Sequence, residues 1–158
     1  MFAIGDKVAY PMHGAGIVEG IEDRTVLGEI KSYYIVRILH GNMQVMVPVT
    51  NTGSAGLRGI MDASVIDRVK TVLGSESTPM DDNWNRRNRE NMEHLKTGDL
   101  CEVASVIRNL VRVDRVKKLS TGEKKMLANA RQILASEMML ISGISEDEAQ
   151  DMIDKSIS

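Results

Sequence analysis

The stretch Gly74-Ser75-Glu76-Ser77-Thr78-Pro79 divides the sequence into two kinds of pattern. It is polar, lacks apolar periodicity and includes a proline, which is the composition of a linker. Just upstream, Ile60, Val65, Val69, Val72 and Leu73 recur at near-helical spacing, with Asp62 as N-cap and Gly74 as terminator. That helix is expected to close a first domain over residues 1–74. Residues 75–79 are then the linker, and residues 80–158 a second domain.

Further upstream the pattern is short β-prone runs at residues 7–10, 16–21, 32–39 and 43–47, punctuated by glycine. In Ser32-Tyr33-Tyr34-Ile35-Val36-Arg37-Ile38-Leu39 the branched and aromatic side chains suit a pleated, half-buried surface. His40-Gly41-Asn42 then offers residues that tolerate positive φ, so the third and fourth runs read as a hairpin. Pro48 ends the ladder and Asn51-Thr52-Gly53-Ser54-Ala55-Gly56 reads as a loop. The expected fold is a small antiparallel SH3-like or Tudor-like barrel with its closing helix.

Downstream of the linker the periodicity is helical, so the chain as a whole is α+β with an all-α second half. Asn83 or Asp82 caps a helix that runs to Gly98, and Asp99 with Glu102 opens the next. In that helix Leu100, Val103, Ala104, Val106, Ile107, Leu110 and Val111 form the buried stripe, leaving Arg108, Arg112 and Arg115 for the periphery. Ser120-Thr121-Gly122-Glu123 and Ser145-Glu146-Asp147-Glu148 are capping-box signatures for two more helices.

The formal net charge of -2 conceals an asymmetry. Residues 1–82 carry 7 Lys+Arg against 10 Asp+Glu, residues 83–134 carry 12 against 6, and residues 135–158 carry 1 against 6. The segment charges are therefore -3, +6 and -5. A basic block between acidic segments suits a nucleic-acid surface, although a solvated helical surface carries cations too.

Catalytic chemistry has no foothold. His13, His40 and His94 fall in different elements, and the single Cys101 leaves no ligand set for zinc and no disulfide. No glycine-rich loop has the spacing of a nucleotide-phosphate site. The chain is expected to be a non-enzyme, without metal, cofactor or small-molecule substrate. With no run near the ~20 apolar residues of a membrane span and no signal-like N-terminus, it is expected to be cytoplasmic and nucleoid-associated.

Two readings fit Trp84, the only tryptophan. It is either a hydrophobic staple at a helix start or an aromatic wedge for distorted DNA, flanked by Asn83, Arg86 and Arg87. Arg86, Arg87, Arg89, Lys117, Lys118, Lys124, Lys125 and Arg131 cluster near helix ends and loops, as phosphate contacts do. Such contacts give salt-sensitive binding with weak sequence preference.

Several strings together resemble the CarD/CdnL family of bacterial RNA-polymerase-binding regulators. They are Gly5-Asp6-Lys7-Val8-Ala9-Tyr10-Pro11, His13-Gly14-Ala15-Gly16, Asn83-Trp84-Asn85-Arg86-Arg87, and Leu119-Ser120-Thr121-Gly122-Glu123-Lys124-Lys125-Met126-Leu127-Ala128. The resemblance implies that the N-terminal half binds the polymerase β subunit and the helical half binds promoter DNA at the upstream edge of the bubble. It further implies that Trp84 enters the minor groove and stabilises the open complex. Arg24, Met46 and Pro48 fall on the implied polymerase-docking surface, with Met46 where some members carry arginine. The competing expectation is a general RNA- or single-strand-binding module that acts without polymerase.

Overall fold

The computed structural model describes residues 2–50 and 56–157. Strands β1 (Lys7–Tyr10), β2 (Gly14–Val26), β3 (Glu29–Ile38), β4 (Met43–Pro48) and β5 (Arg58–Gly59) precede five helices. These are α1 (Ser64–Gly74), α2 (Trp84–Lys96), α3 (Leu100–Val116), α4 (Thr121–Ser142) and α5 (Glu146–Ser156). The fold is α+β, as the sequence pattern indicates.

Among the described residues the strands form one antiparallel sheet in the order β4-β3-β2-β1-β5. No ladder joins β4 to β5, so the sheet is open where a barrel was expected. Its core is small: Val8, Val18, Tyr34, Val36, Ile38 and Val47, with Phe2 edge-on to Tyr34. The hairpin at residues 40–42 is present, with Gly41 at φ 75 and Asn42 at φ 52. The β2–β3 hairpin runs well beyond the expected strands. Its ladder continues from Gly20↔Ile35 out to Val26↔Glu29 and turns at Leu27 (φ 52) and Gly28 (φ 81). Paired positive φ values match the right-handed twist of a two-residue hairpin. The pattern Glu22-Asp23-Arg24-Thr25 hid this arm because both of its faces are solvated. The loop expected over residues 51–56 lies, apart from Gly56, outside the described residues.

The larger core is helical, and α1 belongs to it. Val65, Ile66, Val69 and Leu73 share one cluster with Leu100, Val103, Ile107, Leu110, Leu134, Met138 and Ile153. The helix expected to close the sheet domain therefore packs on α3 and α5 instead. The stretch read as a linker is likewise fastened down. Arg108 donates to the Val72 carbonyl (3.0 Å) and Ser75 Oγ (3.2 Å), Asn109 Nδ2 to Thr78 Oγ1 (2.7 Å), and Arg112 to the Ser75 carbonyl (2.7 Å). Arg108, expected at the periphery, is only 3% exposed. Its guanidinium joins the Ser75 amide (3.2 Å) and hydroxyl (2.7 Å) as donors to the Val72 carbonyl, where the last turn of α1 leaves carbonyls without partners inside the helix.

The sheet sits on the middle of α4. The Ala15 amide donates to Ser136 Oγ (2.9 Å), and a Cβ at Gly14 would lie 2.5 Å from that oxygen. Arg58 of β5 forms a two-pronged pair with the fully buried Glu137 at 2.6 and 2.8 Å. The same guanidinium donates to the Gly98 carbonyl between α2 and α3 at 2.7 and 3.2 Å.

Candidate nucleic-acid interface

The N-termini of α2 and α4 lie side by side, and Trp84 joins them. Asn83 caps α2, its side chain accepting from the Arg86 amide at 3.1 Å. Trp84 is then the first helical residue and reaches across to α4, where its indole Nε1 donates to Ser120 Oγ at 3.2 Å. The ring edge passes over Gly122, so that a Cβ there would stand 3.6 Å from Cζ2. The ring is held on one edge yet remains 46% exposed.

A partly buried network centred on the buried Glu123 holds this arrangement. Ser120 Oγ also accepts from the Glu123 amide (3.3 Å) and donates to Glu123 Oε1 (3.0 Å). Arg87 Nε donates to the second carboxylate oxygen at 3.1 Å. Glu123 thus turns away from the Ser120 amide, and the expected reciprocal capping box is only half made; the full box occurs at Ser145/Glu148. Burial alone would push the Glu123 carboxyl up, but the hydrogen bonds from Arg87 and Ser120 outweigh it and hold it below the usual range.

The basic residues singled out in sequence divide by whether a carboxylate already occupies them. Arg86 pairs with Asp81 (3.3 Å), Arg87 with Glu123, and Arg131 with Asp154 (2.8 Å) while also bonding Gln150. Arg131 therefore ties α4 to α5. Arg89, Lys117, Lys118, Lys124 and Lys125 are exposed and make no ion pair among the described residues. Arg89 and Lys125 flank a groove between α2 and α4 that starts at Gly122, directly beside Trp84. Ser120, Glu123 and Asn88 were missed in sequence. Only the capping signature hinted at the first two, and nothing local connects them with Trp84.

On the sheet, Arg24 stands on the β2–β3 arm, 57% exposed by its side chain and paired with Glu22 at 3.0 Å. The cross-strand rows Pro48–Tyr33–Glu22 and Met46–Ile35–Gly20 bring Met46 and Pro48 of the edge strand β4 to the same end of the sheet. Met46 is exposed and Pro48 half-buried. Among the described residues no group of three or more His, Cys, Asp or Glu is placed to hold a metal, and no helix is long and apolar enough to cross a membrane. Burial, chiefly, and the Asp99 charge push the Cys101 thiol up, away from a reactive thiolate.

The two halves of this arrangement match two family models. Residues 2–61 match "CarD-like/TRCF RID domain", and residues 68–154 match "CarD, C-terminal domain". A relative from Bacillus subtilis (strain 168), named "Putative transcription factor YdeB", is 38% identical over 148 residues, covering 94% of this chain and 97% of the relative. The chain belongs to the CarD family. It is accordingly a non-enzymatic regulator of transcription, and the first match ends before Ser64, where α1 starts, while the second begins within α1.

Proposed function

We propose that this CarD-family chain binds the RNA polymerase β subunit through the β4 and β2–β3 end of its sheet and promoter DNA through the α2/α4 face, stabilising the open complex. The observation that carries the reading is Trp84, half exposed at the meeting of two helix N-termini, with unpaired Arg89, Lys124 and Lys125 nearby on the same two helices. The cations hold the sugar-phosphate backbone, a contact that carries little sequence information. The indole supplies an apolar wedge against an unstacked base step, which costs unstacking in intact duplex and much less where the strands already part. A protein that binds the opened junction better than the closed duplex shifts the equilibrium toward opening by that difference in affinity. The sheet contact supplies location, because tethering turns a weak DNA contact into an intramolecular one.

The test uses the full chain and purified polymerase. Trp84→Ala is expected to leave co-purification with polymerase intact while shortening open-complex lifetime severalfold, and an unchanged lifetime sinks the wedge. Arg24→Glu is expected to weaken retention by the β subunit, and undiminished retention removes that residue from the docking surface.

A further inference from the structure

Resting on the docking proposed for the sheet, the geometry points to a second, apolar anchor in that contact: the tip of the β2–β3 arm, Val26, Leu27 and Ile30, inserts into an apolar depression of the polymerase β subunit beside the surface that meets Arg24. Leu27 is fully exposed, Ile30 76% and Val26 36%. From the pair Arg24↔Lys31 outward the arm is a two-stranded ribbon with no neighbouring strand among the described residues. A single exposed apolar residue needs no explanation; three at the apex of one ribbon do.

Leu27 is the decisive residue. Among the described residues three other than glycine have positive φ: Met12 at 72, Leu27 at 52 and Asn42 at 52. A side chain in that region carries a steric cost, and for two of the three the compensation is visible. Asn42, in the β3–β4 turn, is of a type that tolerates the conformation, and Met12 packs half-buried on the helical core. Leu27 has neither: it takes the first place of a two-residue turn, where Asn, Asp or Gly is favoured, and its side chain lies wholly in solvent. A contact outside the chain offsets the cost, since burying a leucine is one of the larger apolar gains.

Continuity identifies what covers it. The rows Met46–Ile35–Gly20, Pro48–Tyr33–Glu22, Arg24–Lys31 and Val26–Glu29 follow at every second residue, so Val26 continues the proposed docking face. Ile30, across from Thr25, lies on the opposite face. Apolar groups on both faces and at the apex fit a depression that surrounds them, whereas a flat surface would meet only one side. Gly20 and Leu27 are seven residues apart along the arm, or about 23 Å. A standard interface of ~800 Å² per partner is roughly 30 Å across. The Met46 row and the tip therefore fall within one footprint on one partner.

The experiment measures affinity of the full-length protein for purified, DNA-free polymerase by biolayer interferometry, alongside urea unfolding of the same variants. Leu27→Asn gives the turn a favoured residue and removes the anchor, so the two readouts are expected to part: affinity falls about tenfold while the urea midpoint stays or rises. Ile30→Thr keeps a β-branched residue in the strand and should weaken binding severalfold, and Leu27→Met should bind as wild type. Leu27→p-benzoylphenylalanine, irradiated in the complex, should label the β subunit; labelling of another subunit overturns the assignment. If Leu27→Asn lowers the midpoint together with the affinity, Leu27 serves the fold and the proposal is overturned. It is overturned too if wild type self-associates in sedimentation and Leu27→Asn abolishes that while polymerase affinity is unchanged, which assigns the tip to a second copy. If both tip variants bind as wild type while Arg24→Glu does not, only the tip anchor fails. If all three bind as wild type, the docking reading fails with it.

Discussion

Ser120 spends all of its hydrogen-bonding capacity on Trp84 and Glu123. It accepts from the indole and from the Glu123 amide and donates to the carboxylate, which exhausts one hydroxyl proton and two lone pairs. Ser120→Ala is therefore expected to cost about 1 kcal/mol through the lost cap. It should also free the indole, read as lower steady-state fluorescence anisotropy of the sole tryptophan; unchanged anisotropy would mean that Ser120 does not restrain the ring. Glu123 makes the same contact pH-sensitive. Its folded pKa lies below the unfolded value, so its stabilising contribution is fully present above the ordinary glutamate range. That contribution is lost as pH falls through the depressed folded value. An acid titration followed by Trp84 emission should show this transition, and Glu123→Gln should flatten it. At this scale Trp84 was legible in sequence because a lone aromatic among polar neighbours stands out. Its partners were not, since Ser120 is 36 residues away and a capping signature says nothing about what else the cap holds.

Periodicity shows that a helix has a buried face, not what buries it. Of the spacing Ile60, Val65, Val69, Val72 and Leu73, the structure buries Val65, Val69 and Leu73 together with Ile66, yet such a stripe could have covered the sheet as readily as α3 and α5. The polar stretch after it, with the composition of a linker, makes contacts that composition does not announce. Ser75, Ser77 and Thr78 look solvated in sequence, but Arg108, Asn109 and Arg112 bond them from inside α3. The arm of β2 and β3 is hidden in sequence because two solvated faces leave no alternation to read, whereas the capped starts of α2 to α5, at Asn83, Asp99, Ser120 and Ser145, are legible. A fragment of residues 62–158 should accordingly unfold cooperatively in urea. A fragment of residues 80–158 lacks α1 and should be less stable by several kcal/mol, given ~1.5–3 kcal/mol for each large apolar side chain buried. Equal midpoints would show that α1 is dispensable to the helical core. Within the longer fragment, Arg108→Met keeps the volume but removes the buried guanidinium's bonds to the Val72 carbonyl, Ser75 Oγ and Asn109 Oδ1, an expected loss of about 2 kcal/mol.

Across the whole molecule, α4 is the element that both halves share. Its N-terminus carries the Trp84 contact, and its middle, at Ile133, Ser136 and Glu137, receives the sheet. On the proposed function, a polymerase contact at one end and a DNA contact at the other act at a defined separation only while the sheet stays seated, and Arg58 with Glu137 is a two-pronged polar tie that seats it. Because Glu137 is fully buried, removing Arg58 alone leaves an uncompensated charge, so Arg58→Ala should destabilise by about 3 kcal/mol. Replacing both, as Arg58→Met with Glu137→Leu, should recover most of that loss, because two apolar groups of similar size need no partner. The recovered double variant isolates orientation from stability. Its separate affinities for the β subunit and for fork DNA should match wild type, while its effect on open-complex lifetime falls, because the effective concentration of the DNA contact depends on where the sheet holds it. If the double variant prolongs the open complex as well as wild type does, the two halves work as independently tethered modules, and the Arg58–Glu137 pair serves folding alone.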